Sequence, residues 1–194
     1  GVGAITAPGL TLLPPAVALA KQENSNLRIS LAVETSLVLL GRLGLGKLDI
    51  LVARLYAEHD KSNLRYEPLT EEPVCAVVRP GHPLLSTTGL TLRDVASAGW
   101  IAPPAGSVLR HRFELMFRED GLAPPIDMVE TAALLFITRM LQQSDMLAVL
   151  AADVAHYYAA HGIVSVLPLA MPCRMDAFGI ITRADQLLSP AAKV

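Results

Sequence analysis

The chain has 194 residues, 52% of them hydrophobic, 18% charged and 5% aromatic, with a formal net charge of -2. A mean hydropathy of +0.43 and a pI near 6.2 exclude a disordered chain and argue against a basic nucleic-acid surface, and the few aromatics predict an aliphatic core. Two cysteines, Cys75 and Cys173, are too few for a disulfide scaffold and read as reduced thiols.

In chain order, residues 2–5 read as a strand, and Ala7-Pro8-Gly9 opens a helix that turns Leu10, Leu13, Val17 and Ala20 inward and ends near Asn24. Residues 27–34 alternate as a second strand. Thr35-Ser36 supplies cap residues for the next helix, which runs to Gly44 or Gly46, and residues 48–53 form a third strand. The pattern β-α-β-α-β predicts a parallel sheet with helices on its faces.

The glycine-rich joint Gly41 to Lys47 fits the phosphate-loop pattern G-x-x-x-x-G-K, but the mechanism does not follow. A phosphate loop needs a strand before it, a helix after it, and a Ser or Thr after the Lys to hold magnesium. Here helix-spaced leucines precede the glycines, a strand follows, and position 48 is Leu. The joint reads as a glycine C-cap that drops into the strand ending at Arg54, with Lys47 solvated.

Residues 64–69 and 74–78 read as two extended segments joined through Thr70-Glu71-Glu72-Pro73, and Arg79 to Leu84 is turn chemistry. A short helical piece covers 92–99, and a strand covers 100–102. Ser107 caps a helix with Leu109, Phe113, Met116 and Phe117 inward, closed by Gly121. A strand is expected over 126–129, an apolar helix over 131–142 and a strand over 146–150. Asp153 caps a helix closed by Gly162, strands follow over 163–167 and 177–182, and Ser189-Pro190 starts a last helix. This is a second α/β unit inserted into the first, with the final strand returning.

No run of apolar residues spans a bilayer; residues 144–160 come nearest and are broken by Asp145, Asp153 and His156. No nucleophile elbow is present, since Ala105-Gly106-Ser107-Val108-Leu109 lacks the second glycine. The five histidines show no metal spacing with the cysteines. Cys75 reads as a small core residue and Asp49 as a strand-end carboxylate. No catalytic set, metal site or cofactor site is expected.

What does recur is a hydroxyl at strand-to-helix junctions: Thr6, Thr35-Ser36, Ser107 and Thr131. Ligands of open α/β sheets collect beyond the carboxyl ends of the strands, where helix N-termini point amides inward. Arg54 stands at such an end. Each hydroxyl alone can be only a cap; together with Arg54 they predict a binding site for neutral or anionic ligand oxygens.

The order of several segments resembles the effector-binding domain of LysR-type transcriptional regulators over nearly the whole chain. The segments are Leu12-Leu13-Pro14-Pro15, Gly46-Lys47-Leu48-Asp49-Ile50, Gly81-His82-Pro83-Leu84, Thr91-Leu92-Arg93-Asp94-Val95 and Met146-Leu147-Ala148-Val149-Leu150. Finer features are similar to the galactose-binding-protein regulator subgroup: Ala53-Arg54-Leu55, Leu109-Arg110, Val129-Glu130-Thr131-Ala132, Ser144-Asp145-Met146 and Ile181-Thr182-Arg183. The chain departs from the usual pattern at Ala151, where Pro is common, at Ala133, where Ser is frequent, and in its short last helix.

The resemblance implies an α/β protein of two Rossmann-like subdomains with a ligand cleft between them, like type 2 periplasmic binding proteins. Residues 1–73 and 176–194 would form subdomain I, and 74–175 subdomain II. Effector contacts would come from Thr6, Thr35, Ser36, Arg54, Pro103, Ser107, Glu130 and Thr131. The implied partners are a small-molecule effector (a sugar or small organic acid) and further copies of the chain, as a dimer or, at full length, a tetramer. DNA would be met only through an N-terminal winged helix-turn-helix domain absent from this sequence. The Met-less, mid-strand start Gly1-Val2-Gly3-Ala4-Ile5 fits a fragment of such a protein. A cytoplasmic, non-enzymatic, membrane-free regulator is the expectation; a free-standing solute-binding protein of the same fold is the alternative.

Overall fold

The structure, a computed structural model, describes residues 1–55, 62–185, 187, 188 and 192. The chain divides into two compact units, Gly1–Glu71 with Asp176–Val194, and Glu72–Met175. Each has its own hydrophobic core.

The first unit is built on β1 (Val2–Ala4), β2 (Leu31–Val33) and β3 (Ile50–Ala53), with β1 parallel to both neighbours. β9 (Arg174–Arg183) runs antiparallel to β3, and β4 (Leu64–Val78) follows it, giving the order β2-β1-β3-β9-β4. Helices α1 (Thr6–Thr11), α2 (Leu13–Glu23) and α3 (Ser36–Gly44) connect the parallel strands. The short, continuously apolar β3 is what a strand covered on both faces requires. Leu39 and Leu43, four apart on α3, are fully buried against it, whereas Leu37 and Leu40 are not.

Gly46 adopts φ +68°, the left-handed conformation that ends a helix. Arg183 Nη1 donates to the Leu43 carbonyl at 3.0 Å and satisfies one of the open carbonyls of the last turn. The joint is therefore a helix stop, and Lys47 is exposed.

The second unit has the strand order β4-β7-β5-β6, with β8 (Ser165–Val166) also on β4. β5 (Trp100–Ala102) is parallel to β6 (Met128–Glu130) and β7 (Leu147–Ala151); β4 is antiparallel to β7. Helices α4 (Leu92–Val95), α5 (Val108–Glu119), α6 (Leu134–Gln142) and α7 (Ala152–Ala160) complete it, with a short 3-10 turn at Pro83–Ser86. The core is less aliphatic than composition predicts. Trp100, Phe113 and Phe117 are fully buried and meet edge-to-face at 4.9 to 6.1 Å between ring centres, the arrangement that aligns ring edges with ring faces.

Several expected boundaries shift. The two segments around Thr70-Glu71-Glu72-Pro73 are one strand of 15 residues. The physical reason is that Pro disfavours the helical region for the residue before it, so Pro73 keeps Glu72 extended. The single helix expected over 7–24 is two helices that meet at Leu12. The strands expected over 27–34, 48–53 and 163–167 are trimmed to β2, β3 and β8, and the helix over 92–99 to α4. The strand expected from 126 begins at Met128, leaving Ile126 exposed. Asp153 lies in the first turn of α7 and Ala151 is its N-cap; a carboxylate there still complements the helix dipole. The helix expected from Ser189-Pro190 lies outside the described residues.

Candidate functional site

In the first unit, backbone register places the predicted residues together. Ala4 of β1 pairs with Val33 of β2 and Val52 of β3. Two residues beyond each lie Thr6, Thr35 and Arg54, so all three emerge at the same carboxyl edge of the parallel strands. The ladder continues one step past the strands, with Ile5 N–H donating to the Val52 carbonyl at 3.0 Å and Glu34 N–H to the Ala4 carbonyl at 3.1 Å.

The hydroxyls then part ways. Thr6 opens α1 and Thr35 is the N-cap of α3, yet neither side chain caps its helix. Both threonines are exposed. Ser36 is buried, and its Oγ accepts from the Arg54 backbone N–H at 3.1 Å, which locks the start of α3 to the end of β3.

Arg54 is only 5% exposed, and its Nε donates to the Asp176 carbonyl at 3.0 Å. The Tyr66 hydroxyl donates to the neighbouring Ala177 carbonyl at 2.8 Å. Burial pushes the Tyr66 phenol up, the Arg54 guanidinium pulls it down, and the Asp176 carboxylate adds a smaller upward push. Arg54 thus joins the strand edge to the residues where β9 enters this unit.

In the second unit, Ala102 of β5 pairs with Glu130 of β6, and Thr131 N–H donates to the Ala102 carbonyl at 3.0 Å. Pro103 and Thr131 therefore leave the sheet side by side. Ser107 is the expected N-cap of α5, its Oγ accepting from Arg110 N–H at 3.3 Å. Thr131 is not the start of a helix. Its amide remains in the β ladder, its Oγ1 accepts from Ala133 N–H at 3.0 Å, and α6 begins at Leu134 with Ala133 as N-cap.

Arg110 holds these pieces together. Its Nη1 donates to Glu130 Oε1 at 2.9 Å and to the Pro103 carbonyl at 3.4 Å, and its Nε to Glu114 Oε1 at 2.6 Å. Arg118 binds the other Glu114 oxygen at 3.0 Å. Burial alone lowers the Arg110 pKa, but the bonds to Glu114 and Glu130 outweigh it and leave the group above its ordinary value. The sequence signal for Arg110 was its place three residues after the Ser107 cap and four before Glu114, which puts both on one helical face.

A separate cavity of about 380 Å³ is lined by Arg112, Leu115, Met116, Glu119, Pro172 and Cys173, on the far side of α5 from Arg110. Burial raises the Cys173 thiol to about 11, with Arg112 opposing and Glu119 adding to the shift. That thiol is not a nucleophile at neutral pH, because the thiolate is the reactive form. Among the described residues no group of three or more His, Cys, Asp or Glu could hold a metal ion, and no helix is long and apolar enough to cross a membrane.

Comparison with known proteins gives the arrangement a family. The HTH-type transcriptional regulator GbpR of Azospirillum brasilense is 34% identical over 193 residues, 99% of this chain and 56% of that protein. The HTH-type transcriptional regulator GalR of Pseudomonas putida is 36% identical over 191 residues, 98% of this chain and 48% of that protein. The chain thus spans about half the length of these curated relatives. Among solved structures, the effector-binding domain of QuiR in complex with shikimate superposes with a TM-score of 0.76 at 21% identity, covering 99% of this chain and 90% of that one. The LysR substrate binding domain family matches residues 1–194, and the chain belongs to that family.

Proposed function

We propose that this chain is the ligand-sensing part of a transcription regulator, and that a small metabolite is bound jointly by residues of its two units. The first unit contributes Thr6, Thr35, Ser36 and Arg54, the second Pro103, Ser107, Glu130 and Thr131. The units act as regulatory subdomains, residues 1–73 with 176–194 and residues 74–175. The observation that carries this reading is that Thr6 and Thr35 are exposed hydroxyls in register with Arg54 and spent on no helix cap. The carboxyl ends of parallel strands are where open α/β sheets take ligands. A sugar or small organic acid fits the donors and acceptors present. The shikimate bound by the QuiR domain, with hydroxyls and a carboxylate, supports that class.

The effector acts by preferring one arrangement of subunits over another, and through it a DNA-binding domain of the full protein, in the cytoplasm and without catalysis. Only differential affinity can do this; moving an equilibrium from 1:99 to 99:1 takes about 5.5 kcal/mol. Thermal-shift screening against sugars and small carboxylates, with wild type and Thr35→Ala in parallel, tests the site. A hit that stabilises wild type and shifts the variant less is expected; equal shifts for every hit would rule out this assignment.

Self-association belongs to the same reading. Edge strand β2 and its helices expose Leu12, Leu19, Leu31 and Val33, and α6, which follows edge strand β6 in the chain, exposes Leu135 and Phe136. A head-to-tail dimer would cover one face with the other. Sedimentation velocity is expected to show a dimer that Leu19→Glu and Leu135→Glu each dissociate, these residues being 57% and 83% exposed in the single chain. A wild-type chain that stays monomeric at high concentration contradicts it.

A further inference from the structure

The charges around Arg110 alternate along a line: Arg118, Glu114, Arg110, Glu130. Two cations and two carboxylates balance, and the line ends at Glu130, whose side chain is 45% exposed. Oε1 of Glu130 accepts from Arg110; Oε2 accepts no hydrogen bond among the described residues. The carboxylate meets Arg110, which lies in the first turn of the 12-residue helix α5, capped by Ser107. A guanidinium beside a helix N-terminus is a setting that attracts anions. Here a carboxylate of the protein already fills that role.

We infer that Glu130 is a built-in counter-ion that closes this end of the site to anions and selects an uncharged, hydroxyl-bearing part of the ligand, with Arg110 as its positioning residue. A ligand hydroxyl donates to Glu130, whereas a carboxylate or phosphate placed there meets a carboxylate of the protein. The ligand class is a molecule that presents hydroxyls, and no anionic group, to Glu130. This rests on the effector reading above and narrows it.

The test uses inorganic phosphate as the probe and amide chemical shifts as the readout. In wild type, phosphate is expected to leave the amides of residues 107–110 and 131 without saturable shifts. In Glu130→Gln, the neutral isostere, Arg110 loses one of its two carboxylates and the same amides should titrate roughly tenfold or more tighter, the worth of one charged hydrogen bond. Adding Arg110→Gln should abolish that binding, and Arg110→Lys in its place should restore part of it. Glu130→Ala serves as a second opening variant should Gln rearrange. Phosphate binding in wild type as tight as in Glu130→Gln, or no binding in either opened variant, overturns the inference. Both outcomes are independent of whether any metabolite is found, so failure of the effector reading and failure of the counter-ion are told apart.

Discussion

Gly179→Ala is expected to lower the unfolding free energy by about 3 kcal/mol or more, the upper range for forcing atoms into a packed interior. A Cβ at this position would run into the Glu67 carbonyl oxygen and lie 2.6 Å from the Tyr66 ring, closer than real contacts come. The first obstacle is backbone, so rotation of a side chain cannot relieve it. Gly179 pairs with Ala53 at the end of β3, one residue before Arg54. The displacement therefore reaches the Tyr66–Ala177 and Arg54–Asp176 bonds as well as the core. Urea unfolding followed by circular dichroism would read the loss. For a chain of this size it corresponds to roughly 6–12 °C in melting temperature. A variant as stable as wild type would mean that β4 and β9 do not approach as closely as described.

Arg54→Ala is expected to have the largest effect on binding, about 30-fold or more in Kd for a screening hit, the worth of a charged hydrogen bond near 2 kcal/mol. The same substitution removes the Nε donor from the Asp176 carbonyl and the buried stem, so about 2 kcal/mol of stability should go with it. Two readouts separate the roles. Titration calorimetry at a temperature where both proteins are folded reports the ligand contact. Ultraviolet titration of tyrosinate reports the local field: Arg54 lowers the Tyr66 pKa, so its removal should move that transition upward. Unchanged affinity with a shifted Tyr66 titration would make Arg54 a strut for β9 and not a ligand contact.

Much of this frame is legible in the sequence, and the reasons for the remainder are physical. The β-α-β-α-β order follows from helix-spaced leucines ending at glycines and from the unbroken apolar run Ile50 to Ala53. The Gly46 stop follows from the same signals, and its positive φ is what they require. Local signals failed where tertiary contacts decided. Thr70-Glu71-Glu72-Pro73 has turn composition but lies in an extended strand, because a proline's fixed φ suits extension as well as a turn. Thr131 has cap chemistry, but its amide is claimed by Ala102 across the sheet. Arg110 was not among the expected contact residues, because its partner Glu130 is brought to it from another strand. Ser36 and Ser107 both stand at strand-to-helix junctions, and only their tertiary contacts distinguish the one that locks Arg54 from the one that caps α5.

Mapping a screening hit by amide chemical shifts on the isotopically labelled chain tests the central claim most directly. Effector binding by both units predicts saturable shifts with one Kd at residues 5–6, 35–36 and 54 and, together with them, at 103, 107 and 130–131. Shifts confined to one unit, or gathered around Arg112 and Cys173 on the far side of α5, would contradict it.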